Sequence, residues 1–161
     1  MKFLRPWLPV ICWMGVIFLA STDLGSAAHT SRIIEPILRW LKPNISQAAI
    51  NEVHFLIRKT AHLTEYAIFS VLLCRAVEQS THDASRWKSV LIAIGLATLY
   101  AASDEFHQSF VSSRTASIRD VMIDSCGAMI GLFIFWVIRS VANAFRDGLS
   151  RPSGTEVKSP L

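Results

Sequence analysis

Apolar residues in this chain fall into four long runs separated by short polar stretches. They span Trp7 to Ala20 (extendable to Leu24), Phe55 to Val77, Trp87 to Ser103, and Val121 to Ile138. A helix needs about 20 residues to cross hydrocarbon, so the last three runs predict membrane spans. The first is short and follows Lys2 and Arg5. It reads either as an anchor, which Trp7, Pro9 and Trp13 favour, or as a signal segment with small residues at Gly25-Ser26-Ala27. Between the first two runs, Ile33, Ile34, Ile37, Leu38 and Leu41 recur at helical spacing, with Arg32, Glu35, Arg39 and Lys42 opposite. That pattern, with Trp40 in it and Pro43 at its end, predicts an amphipathic helix in the membrane interface. The same pattern fits a surface segment packed on the protein. Ser46 offers an N-cap for the helix that follows. After Arg139 the chain turns polar, with Pro152, Ser153, Gly154 and Pro160, as disordered tails do. The expectation is an all-α membrane protein with about four transmembrane helices plus an interfacial helix. It divides into a first helix at 1–24, a membrane domain at 25–139 and a cytoplasmic tail at 140–161.

Composition strengthens the membrane reading: 52% of residues are hydrophobic and the mean hydropathy is +0.39, high for a soluble domain. The net charge of +4 does not imply nucleic acid, because the basic residues flank the apolar runs. Four crossings place Lys2, Arg5, Arg75, Arg86, Lys88, Arg139, Arg146, Arg151 and Lys158 on one side. Arg32, Arg39, Lys42, Arg58, Lys59, Arg114 and Arg119 fall on the other, and the last four of these have carboxylates nearby. The bias predicts both termini in the cytoplasm. Cys12, Cys74 and Cys126 lie in or beside apolar runs without metal spacing, and read as buried free thiols.

This topology brings the polar start of the second span, the polar end of the third and the polar start of the fourth to one membrane face. Arg58, His62, Glu65 and Phe69 share a face of the second span, flanked by Lys59 and Tyr66. On the third, Ala93, Ala97 and Ala101 form a small-residue stripe continuing onto Asp104 and Gln108, with Glu105 beside it. On the fourth, Asp120, Asp124, Gly127 and Gly131 share a face whose glycines suit close helix packing. Ser117-x-x-Asp120 has the form of a capping box, which leaves Asp124 unexplained.

Several chemistries are compatible with these residues. His62, Glu65, Asp104, Glu105 and Asp120 are potential ligands for a divalent ion, but no compact motif such as HExxH joins them. No metal or cofactor is therefore expected. A phosphatase of the lipid-phosphate type lacks its histidine nucleophile beside Ser-Gly. An anion site would use Arg58, Lys59 and Arg114 as clamps, held in place by the acids. The cluster reads equally as an internal salt-bridge lock.

The set Lys59-x-x-His62-x-x-x-Tyr66, Glu105-x-x-Gln108, Arg114 and Asp120-x-x-x-Asp124-x-x-Gly127-x-x-x-Gly131 resembles the VanZ-like family of small bacterial membrane proteins. The resemblance covers Lys59 to Gly131. Asp124 stands where asparagine is common, and Ser113 replaces the usual glycine before the arginine. The resemblance implies a multi-span helical protein of the bacterial cytoplasmic membrane with a link to glycopeptide (teicoplanin) resistance. Three readings follow. The first is a site binding an anionic envelope component, such as a lipid-linked cell-wall precursor or a lipoglycopeptide. The second is a membrane enzyme acting on an envelope lipid or precursor, and the third a structural accessory. Membrane lipid is the expected partner in each, and nucleic acid in none.

Overall fold

The computed structural model describes residues 4–22, 27–81, 85–111 and 116–149. Among them are five helices: α1 (Leu8–Ser21), α2 (Ala27–Leu41), α3 (Gln47–Ser80), α4 (Arg86–Gln108) and α5 (Ile118–Leu149). Ser46 caps α3 as expected, its hydroxyl accepting from the Ala49 N–H at 3.3 Å. α5 continues to Leu149, past Arg139, where the polar sequence begins.

α1, α3, α4 and α5 run side by side in alternating directions. Trp7 Nε1 donates to Ser80 Oγ at 2.9 Å and Trp13 Nε1 to the Glu65 carbonyl at 3.0 Å, so α1 is antiparallel to α3. Tyr100 Oη donates to the Met14 carbonyl and Ser21 to Asp104, so α1 runs with α4. α3 and α5 are parallel: Lys59 pairs with Asp120 at one end and Glu78 with Arg139 at the other. The glycine stripe explains how closely these two parallel helices approach. A Cβ on Gly127 would lie 3.0 Å from Leu63 Cα, and one on Gly131 would lie 2.6 Å from Ala67 Cα. Ser70 Oγ bridges the same seam to the Ala128 carbonyl at 2.9 Å. The alanine stripe is equally interior, with Ala93, Ala97 and Ala101 wholly buried.

The bundle is apolar on the outside. Leu91, Ile92, Leu99, Met129, Ile130, Phe133 and Ile134 are exposed, while Ser70, Asp104, Glu105, Gln108 and Asp124 are buried. Water would penalise that arrangement, whereas lipid solvates the outer side chains and leaves the polar groups to one another. Cys12 and Cys126 share the outer surface and only Cys74 is buried, which corrects the expectation of three buried thiols. A thiol is apolar enough to face lipid.

The expectation of about four spans plus an interfacial helix is met in part. Two helices, α4 and α5, are both long and apolar enough to cross a membrane. α1 has 14 residues. α3 has 34, roughly 51 Å of helix, but Arg58, Lys59, His62 and Glu65 interrupt its apolar sequence. Its first turns extend beyond the polar end of the bundle and pack against α2. α2 turns Ile33, Ile37, Trp40 and Leu41 outward. Its Arg39 pairs with Glu35 at 2.8 Å and reaches Gln47 of α3 at 3.0 Å.

Candidate functional site

One end of the bundle gathers the C-terminus of α1, the first half of α3, the end of α4 and the start of α5. Buried there are Ser21, His62, Tyr66, Asp104, Glu105, Gln108, Asp120 and Asp124. Tyr66 of this layer also meets Phe69 and Tyr100, the three rings lying edge-on or tilted with centroids 5.1 to 6.5 Å apart.

Much of this layer is tied. Ser21 donates to Asp104 Oδ2 at 2.6 Å, and Gln108 Nε2 reaches both, at 3.2 and 3.0 Å. This triangle fastens α1 to α4. Lys59 pairs with Asp120, joining α3 to α5. Glu105 Oε2 accepts from the Ser117 backbone N–H at 2.7 Å and so holds the start of α5. The capping box therefore forms only in part. Ser117 Oγ accepts from the Arg119 N–H at 3.2 Å, but the N–H that Asp120 would have reached back to is taken by Glu105. Asp120 turns to Lys59 instead.

The rest of the layer is not tied. Asp124 is fully buried, and neither of its oxygens has a hydrogen-bond partner among the described residues. His62 Nδ1 lies 3.2 Å from Asp124 Oδ1, at ion-pair distance but out of line for a hydrogen bond. Tyr66 Oη and Glu105 Oε1 are also buried without partners. Hydrogen-bonding atoms left open in a low-dielectric layer are costly unless something else meets them.

α3 presents two adjoining faces, where the sequence pattern suggested one. Lys59, His62, Tyr66, Phe69, Ser70 and Leu73 look into the bundle. Arg58 and Glu65 lie a step round the helix and, with His62, line a groove toward α2. The groove, about 760 Å³, is bounded by Ser21 of α1, Thr30, Ser31 and Glu35 of α2, and Gln47, Asn51, His54, Arg58, His62 and Glu65 of α3. Among the described residues, both buried ring nitrogens of His54 lack a hydrogen-bond partner and Arg58 forms no ion pair. Gln47, Asn51 and His54 continue the Arg58–His62–Glu65 face upstream at helical spacing, a signal present in the sequence itself. Ser21 had no such signal, since it ends an otherwise apolar run. Arg114 lies outside the described residues. No three of His, Cys, Asp and Glu are grouped to hold a metal ion among the described residues.

A family model described as VanZ/LLP1 matches residues 6–139. The chain belongs to the VanZ/LLP1 family. The match takes in α1 and ends within α5, so the polar end of the bundle and the groove beside α2 both lie inside the VanZ/LLP1 region. No curated protein and no solved structure matches the chain.

Proposed function

We propose that this VanZ-like membrane protein binds an anionic cell-envelope component in the groove between α2 and α3. The observation that carries this reading is the groove itself. Arg58 lines it without an ion pair and the buried nitrogens of His54 have no hydrogen-bond partner, both among the described residues. Amides, hydroxyls and the carboxylates of Glu35, which is paired with Arg39, and Glu65 complete the lining. A guanidinium with several nearby donors suits phosphate or carboxylate. The volume falls within the roughly 300–1,000 Å³ common for small-ligand sites. In this reading α1, α3, α4 and α5 all cross the bacterial cytoplasmic membrane, both termini are cytoplasmic, and the groove opens on the outer face. Support comes from the alternating helix directions and the flanking charge. The ligand would be a lipid-linked cell-wall precursor headgroup or a lipoglycopeptide, and the phenotype altered teicoplanin sensitivity. Arg58→Gln is expected to keep near-normal protein abundance and to abolish that phenotype. If sensitivity instead follows abundance across Arg58→Gln and His54→Ala, the cluster only locks the helices together.

A second reading, acid–base chemistry on the bound component, rests on His62. That side chain lines the groove with Asp124 Oδ1 3.2 Å from its Nδ1, an ion-pair distance at which the carboxylate would favour the imidazolium formed when His62 takes a proton. A change in ligand mass on incubation with protein, absent with His62→Gln, separates it from binding alone.

A further inference from the structure

The polar groove continues at the edge of the bundle. A second groove of about 510 Å³ runs between α1 and α3, lined chiefly by Trp13, Leu56, Thr60, Thr64 and Ile68. The two share Ile57, Ala61 and Glu65, spaced four residues apart along one row of α3. Leu56, Ile57 and Ile68 are exposed, so no described part of the chain covers this furrow. Trp13, Leu56, Ile57 and Ile68 make its walls largely apolar, while the groove it meets holds Arg58 and His54.

We propose that the groove is entered sideways from the bilayer and that its ligand is a single anionic membrane lipid. A phosphate-type headgroup sits against Arg58 and His54, and one hydrocarbon chain lies along the α1–α3 furrow. The proposal rests on the anion-binding reading and adds the sideways route of entry and the place of the hydrocarbon chain. Lateral entry keeps the chain out of water throughout. Lipid tails are as apolar as the side chains they meet, so burial in the furrow supplies fit and little driving force. Affinity resides in the headgroup contacts, where a charge-assisted hydrogen bond is strongest. Chain discrimination resides in the row Ile57–Ala61–Glu65, where the small side chain of Ala61 leaves the two grooves in contact.

The test uses the full-length protein in detergent, with retained lipid counted by native mass spectrometry and thermal stability followed in parallel. Probes are phosphatidylglycerol, phosphatidylcholine and inorganic phosphate. Wild type is expected to retain one phosphatidylglycerol in preference to phosphatidylcholine. Arg58→Gln should bind it about tenfold more weakly. Ala61→Phe, which fills the junction from an exposed position, should weaken phosphatidylglycerol to a similar extent and leave stabilisation by phosphate unchanged. Thr64→Trp fills the furrow from a second exposed position and serves if Ala61→Phe does not fold. If phosphate stabilises wild type but not Arg58→Gln, and neither furrow variant alters phosphatidylglycerol retention, the lipid proposal fails and the anion site stands. If neither anion distinguishes wild type from Arg58→Gln, both fail.

Discussion

Replacing Gly131 by alanine tests the seam on which the bundle depends. The added Cβ would sit 2.6 Å from Ala67 Cα, against an optimal carbon–carbon separation of about 3.5–4.0 Å. The clashing atoms are backbone, so no side-chain rotation relieves them, and α3 and α5 must part by about 1 Å. That displacement would stretch the Ser70–Ala128 hydrogen bond, now 2.9 Å, and strain the Lys59–Asp120 and Glu78–Arg139 pairs along the same two helices. Overpacking of this kind costs about 1–3 kcal/mol, and losing the bridge would add about 1 kcal/mol. Gly95→Ala is the matched control, because nothing lies within 4 Å of its added Cβ. Its expected change is within about 1 kcal/mol and toward stability. The measurement is reversible unfolding of both variants in mixed micelles. Equal stability of Gly131→Ala and Gly95→Ala would refute the close α3–α5 contact.

The Lys59–Asp120 and Glu78–Arg139 pairs, at opposite ends of the α3–α5 seam, should differ sharply. Lys59→Met strands the buried Asp120 carboxylate and should cost about 3–5 kcal/mol, largely recovered in Lys59→Met/Asp120→Leu. A double-mutant unfolding cycle without coupling would contradict this. At the other end, the Arg139 and Glu78 side chains are 39% and 23% exposed, so Arg139→Gln should shift stability by only about 0–1 kcal/mol. A loss as large as that of Lys59→Met would mean the pair is far better shielded than its exposure indicates.

The helices and the small-residue stripes were legible because they depend on spacing alone. Ala93, Ala97, Ala101, Gly127 and Gly131 recur every four residues, and the polar groups at the ends of those stripes are buried as the stripes require. The face of α3 was harder to read because neighbours pack against two of its sides. His62 and Phe69 belong to both of the periodic rows that can be drawn through this region, so the pattern did not reveal that Lys59 and Tyr66 face inward while Arg58 and Glu65 face the groove. The span count was blurred for a related reason. The residues that build the site lie within α3, and they lower the apolarity by which a crossing helix is recognised. Ser21 was illegible because its role depends on a contact with Asp104 across 83 positions of sequence.

Arg58 and Lys59 are adjacent in sequence and similar in charge, yet the helix turns them about 100° apart and gives them different work. Lys59 is half-enclosed between α3 and α5, with Phe55 beneath its ammonium and Asp120 against it. A partner anion already holds that charge, so recruiting a ligand there would first require breaking a helix contact. Arg58 is exposed on the groove wall, in the row of polar residues that continues to Gln47. A ligand reaching it displaces water and disrupts no tie between helices. The carboxylates follow the same division. Asp104, Glu105 and Asp120 each engage a second helix or its backbone. Asp124 has His62 at ion-pair distance among the described residues, and His62 borders both the bundle interior and the groove. Any influence of bound ligand on the packing of α5 therefore has its shortest physical route through His62 and Asp124, where open hydrogen-bonding capacity remains.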